Sequence, residues 1–136
     1  MSEATFPFPH NGVFTIGTGA LGAQKLQAFL SVPFDSSSVV GYGVLTQPTS
    51  PPLSLHSAFH GVVHTLGFGE VKQIFALQGT AVPPLLGAPH VTQLTIALDA
   101  IWGNKGKASY TYVTGAVFHT ISDQPITVRW LLLDAG

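Results

Sequence analysis

Between its turn signals the chain places Val, Ile, Leu, Thr, Phe and Tyr at alternate positions, the period of a β-strand with one buried face. About eight such segments can be traced, at residues 13–18, 24–34, 39–47, 54–66, 70–81, 91–102, 108–118 and 126–133. In the second, Leu26, Ala28, Leu30 and Val32 share one face, and Lys25, Gln27 and Ser31 share the other. The sixth aligns Leu94, Ile96, Leu98, Ala100 and Trp102, and the last aligns Ile126, Val128, Trp130 and Leu132. Turns are expected at Gly67-Phe68-Gly69, at Asn104-Lys105-Gly106 and in the polar run after Asp35 at residues 36–38. Gly41 and Gly43, inside the third segment, suggest a bend or bulge. Proline cannot donate to a β-ladder, so QPTSPP at 47–52 and VPPLLGAP at 82–89 are loops. The fold class that follows is all-β, an antiparallel β-sandwich or a small closed β-barrel of about eight strands. Periodicity does not choose between the two. With 136 residues there is length for one core, so residues 12–136 form a single β-domain after an N-terminal tail at 1–11.

Charge narrows the functional classes. Asp, Glu, Lys and Arg make up 8% of the chain, against about 25% in an ordinary soluble domain. The surface must then be covered by Ser, Thr, Gln, Gly and backbone, or by another subunit, so self-association is expected. Five basic and six acidic side chains leave a net charge of −1 without a Lys/Arg cluster, a poor match to nucleic acid. Cysteine is absent, which removes disulfides and thiolate metal sites. The opening MSEATFPFPHN has neither a basic nor an apolar signal region, and no apolar run approaches the ~18 residues of a spanning helix, so cytoplasmic residence without a membrane span is the expectation.

One set of residues resembles a known family: Phe14-Thr15-Ile16-Gly17, Leu21-Gly22-Ala23, Gly41-x-Gly43-x-Leu45-Thr46-Gln47, Pro51-Pro52-Leu53 with His56, and Ile101-Trp102 with Ala108-x-Tyr110-x-Tyr112. The succession is similar to a family of short bacterial all-β proteins catalogued as a domain of unknown function. The resemblance implies a single β-domain over most of the chain and implies no catalytic residue.

Several motifs invite a chemical reading. Gly17-Thr18-Gly19-Ala20-Leu21-Gly22 has the G-x-G-x-x-G spacing of a dinucleotide loop, but no acidic residue closes a following strand and no alternating helices follow, so a glycine-rich hairpin turn is expected. His56, His60 and His64 recur every four residues. On a helix they would stack on one face; on a strand, neighbours in the row stand about 13 Å apart, too far to share an ion. No metal site and no cofactor is therefore assigned. His56 and His60 are candidate ligand-binding residues, able to orient a ligand or to pass a proton. Tyr110 and Tyr112 share a face and are the aromatic candidates for a neutral small molecule or a sugar, while Trp102 and Trp130 follow apolar faces and read as core. No nucleophile elbow appears. Asp99 is expected in mid-strand opposite Leu94, Ile96 and Leu98, either solvated or set in a cavity.

These observations lead to a non-enzymatic binding or interaction protein, homo-oligomeric, with a neutral small-molecule or carbohydrate ligand. The alternative is a cofactor-free β-barrel enzyme using His56, His60 or Asp99 as general acid or base on a hydrophobic substrate. A further alternative is a structural or toxin-like assembly component.

Overall fold

The computed structural model describes residues 10–33, 36–67 and 69–131. The strands are β1 His10–Ile16, β2 Lys25–Val32, β3 Ser38–Gln47, β4 Leu53–Thr65, β5 Gln73–Ala81, β6 His90–Leu98, β7 Lys105–Thr114 and β8 Val117–Leu131. Each pairs antiparallel with the next, and β8 returns to pair with β1, closing the sheet into an eight-stranded barrel. No helix occurs among the described residues, and so none is long and apolar enough to cross a membrane. Between the two all-β architectures expected, the structure selects the barrel.

Strand parity fills its interior. Phe14 and Ile16 from β1, Leu26, Ala28 and Leu30 from β2, Leu45 from β3, Phe59 from β4, Phe75 and Leu77 from β5, and Leu94, Ile96 and Leu98 from β6 are all buried. Small barrels are closed by such side chains rather than left hollow. Gly43 fits this packing, since a Cβ there would stand 2.8 Å from the Phe59 ring. Of the bend or bulge expected at Gly41 and Gly43, the bulge does not occur: β3 keeps continuous register with both β2 and β4, and the glycines permit close approach.

One irregularity lies where β7 pairs with β8, between Ala108 and Tyr110; another lies in β6, between Val91 and Gln93. The latter shifts the phase so that Val91 and Leu94 both point inward. Ser57, itself fully buried, accepts the Val91 N–H at 2.8 Å, which satisfies a donor at the irregularity.

Four expectations need correction. The segment 108–118 is not one strand: Gly115, at φ 59°, and Ala116 make a two-residue hairpin turn, Thr114 faces Val117, and β8 starts there rather than at Ile126. The turn expected at Asn104-Lys105-Gly106 ends at Asn104, because Lys105 and Gly106 pair within β7. Strand β6 stops at Leu98, so Asp99 and Trp102 belong to the connection after it, where Trp102 adopts a left-handed φ of 53°. His10 and Asn11, placed in the expected tail, open β1. Residues 1–9 of that tail, Phe34, Asp35, Phe68 and residues 132–133 of the expected last strand lie outside the described residues.

Candidate functional site

The sequence-derived candidates separate into three places. Tyr110 and Tyr112 point into the barrel and are 3% and 8% exposed. The outward parity of β7 belongs to Lys105 and Lys107, which leaves Ala108 and both tyrosines inside. Their hydroxyls are used internally. Tyr110 donates to Gln24 Oε1 at 2.8 Å, and Gln24 Nε2 donates to Tyr112 Oη at 2.7 Å and to Gln47 Oε1 at 3.2 Å. Burial, with Tyr112 beside it, pushes the Tyr110 phenol up to about 12. His119 stacks on Tyr112 at 4.7 Å and reaches Thr114 Oγ1 at 3.0 Å through Nε2. The two tyrosines are thus buried members of a polar cluster at one barrel end.

The opposite end is aromatic. His10 stacks on Trp102 at 3.7 Å, with Trp130 packed edge-on against Trp102, Phe14 and His10. Trp130 Nε1 donates to the Gly103 carbonyl, and Gln73 Oε1 accepts the Trp102 N–H, tying down the left-handed turn. Burial lowers the pKa of His10.

His56, His60 and His64 point outward from β4 and are exposed, as the four-residue spacing on a strand requires. Their row shares the barrel wall with side chains that the sequence analysis did not single out. Tyr42 on β3 stands across from Phe29 on β2 and Ala58 on β4, and its hydroxyl hydrogen-bonds His56 Nδ1. Val40 faces His60, and Val62 lies further along β4. Phe29, Val40, Tyr42 and Val62 are 40–50% exposed, large apolar surfaces left open on one wall. Across the five strands β2 to β6 the single Asp, Glu, Lys or Arg is Lys25, at the root of β2. A signal for this site existed in the sequence: Phe29 and Tyr42 have the outward parity of Gln27 and Val40.

Asp99 is exposed beyond the end of β6, and its N–H donates to the Lys105 carbonyl. It is neither in mid-strand nor in a cavity. No group of three or more His, Asp or Glu side chains among the described residues is placed to hold a metal ion. The glycine run at 17–22 forms the β1–β2 connection, and a strand follows it where a dinucleotide fold would place a helix.

The sequence matches the family described as a domain of unknown function, DUF1842, over residues 10–118. The chain belongs to this family. The matched span of the DUF1842 domain runs from the first residue of β1 to just past the β7–β8 turn, and includes the whole uncharged wall. No curated protein matches the chain.

Proposed function

We propose that this DUF1842 domain is a non-enzymatic interaction protein that self-associates through the outer wall of β2 to β5, centred on Tyr42. The observation that carries the reading is the pairing of open apolar side chains with missing charge on that wall. Interface centres are depleted of charged residues and enriched in Tyr and Phe. An ordinary solvated β-surface would instead carry Lys and Glu at alternate positions, which keep molecules apart. The packed interior also moves any binding role outward, because Tyr110 and Tyr112 spend their polar atoms on Gln24.

A second reading uses the same wall. Phe29 and Tyr42 are exposed cross-strand partners, and the Tyr42–His56 pair with His60 on the same face of β4 offers hydrogen-bonding groups, the combination that holds a neutral carbohydrate. An acid–base role for His56, His60 or Asp99 gains less support, since all three are open to solvent.

Light scattering after gel filtration at micromolar concentration tests the proposal. The wild type is expected at a multiple of 14.3 kDa, and Val40→Lys combined with Tyr42→Lys is expected at 14.3 kDa. A wild-type mass of 14.3 kDa overturns self-association. Retention of that monomer on a neutral polysaccharide, lost in Tyr42→Ala, would then favour the carbohydrate.

A further inference from the structure

An antiparallel meander returns to the same end after every second strand. The β1–β2, β3–β4, β5–β6 and β7–β8 connections, residues 17–24, 48–52, 82–89 and 115–116, therefore share one end of the barrel. None of these residues is Asp, Glu, Lys or Arg. At the other end stand Glu70, Lys72 and Asp99, and Lys105 opens β7 there. Exposed apolar side chains follow the opposite distribution. Besides the wall residues and Ile101, every large exposed hydrophobic among the described residues lies at the end whose connections carry no charge, where Lys25 at the start of β2 is the one formal charge: Leu21, Val82, Leu85, Leu86, Val117 and Phe118. Leu21 and Leu86 are 105% and 106% exposed, so each projects as far into solvent as it would from an extended chain.

We infer that this end is a membrane-docking crown, with Leu21, Leu85, Leu86 and Phe118 entering the headgroup region of a zwitterionic phospholipid bilayer. Three features select that occupant. The apolar tips stand on two separate connections and at the start of β8, and a protein partner would need a shaped socket for each, whereas acyl chains close around any protruding side chain. Full exposure leaves Leu21 and Leu86 free to change rotamer, a freedom a packed protein interface removes and a fluid bilayer largely keeps. The charge pattern also fits: without acidic groups the connections do not repel lipid phosphates, and without basic groups they hold no preference for anionic lipid. Lys25 and Asp123 are the nearest formal charges in sequence to these connections, one of each sign.

Vesicle co-sedimentation tests the inference. The wild type is expected to sediment equally with vesicles of phosphatidylcholine and with vesicles of phosphatidylcholine mixed with phosphatidylserine, at low and high salt alike. Leu21→Glu and Leu86→Glu are each expected to weaken partitioning by about tenfold or more, the loss of one buried Leu, and both should melt as the wild type does. Phe118→Trp supplies a second readout, because Trp102 and Trp130 sit at the far end: its added fluorescence is expected to shift to the blue with vesicles. The pair Val40→Lys and Tyr42→Lys is expected to bind vesicles still, which separates this site from the wall. Absence of wild-type sedimentation overturns the inference, as does a requirement for phosphatidylserine or undiminished binding by the Glu variants. So does a lipid-free mass that halves in Leu86→Glu, which would assign the crown to a second copy of the chain.

Discussion

Replacing Gln24 by Leu would isolate the polar cluster that seals the Tyr110 end of the barrel. The substitution keeps most of the side-chain volume and removes three hydrogen bonds at once: the acceptor of Tyr110, the donor to Tyr112 and the donor to Gln47. Tyr110 bears the largest cost, since the hydroxyl of a residue only 3% exposed loses its acceptor, about 1–3 kcal/mol. Tyr112 loses a donor but can still use its own proton, about 0.5–1.5 kcal/mol. Gln47 lies in reach of solvent and adds little. Offset by a little apolar burial from the new Leu, the expected loss is about 2–4 kcal/mol, or roughly 6–12 °C in Tm for a domain of this size. Thermal unfolding followed by circular dichroism reads it directly. The decisive comparison is the triple variant Gln24→Leu, Tyr110→Phe, Tyr112→Phe, which removes the orphaned hydroxyls together with their partner and is expected to recover most of the loss. A single variant within about 2 °C of wild type, or a triple variant no more stable than the single, would refute the argument that satisfaction of the hydroxyls holds this end together.

Three further outcomes are expected. Tyr110 stays protonated in the fold up to about 12, against 10.0 for the free side chain, so between those pH values the unfolded chain releases a proton that the native state keeps; its contribution is constant below pH 10 and falls as pH rises towards 12, and melts of Tyr110→Phe across that window should decline less steeply. His10 has its pKa lowered from 6.5, so the unfolded chain takes up its proton first and this group's contribution is lost as pH falls below 6.5; wild type minus His10→Phe stability, measured by urea titration across that range, should show the drop. Ser57→Ala leaves the Val91 N–H without its acceptor in the interior and should cost about 1–3 kcal/mol in the same assay, without change in the β-sheet dichroism.

How much of this was legible follows from what each residue is asked to encode. Alternation gives the faces of β2 directly, because Leu26, Ala28, Leu30 and Val32 obey one period without interruption. Closure is not local: it depends on Ile126 to Leu131 pairing with β1 across the length of the chain, which no periodicity announces. The β7–β8 turn was hidden because Gly115-Ala116 lacks the Asn, Asp or Pro that usually mark a hairpin, and Val113, Val117 and Phe118 carry strand character straight across it. By periodicity Trp102 reads as part of β6, because Ala100 and Trp102 continue the phase of Leu98, while the turn that removes them rests on the distant Gln73. The inward direction of Tyr110 and Tyr112 was available from Lys105 and Lys107 at the alternate positions. For the wall, the information lay in an absence of charge spread over five strands, a feature that becomes a surface only when the barrel sets those strands side by side.

The two proposed surfaces constrain each other. The wall of β2 to β5 faces sideways from the barrel axis and the crown faces along it, so one molecule can use both at once. Self-association through one wall is isologous, with the same patch on each copy, and requires a two-fold axis. If that axis runs parallel to the barrels, both crowns face the same way and a dimer sits on one bilayer with its charged ends, bearing Glu70, Lys72 and Asp99, in water. If the axis runs across the barrels, the crowns face in opposite directions and a dimer bridges two bilayers. The first arrangement doubles the apolar tips on one membrane and strengthens binding by multivalency; the second clusters vesicles. Turbidity of phosphatidylcholine vesicles therefore reads the geometry of the dimer, and loss of clustering in the Val40→Lys, Tyr42→Lys pair with binding retained would place the two-fold axis across the barrels.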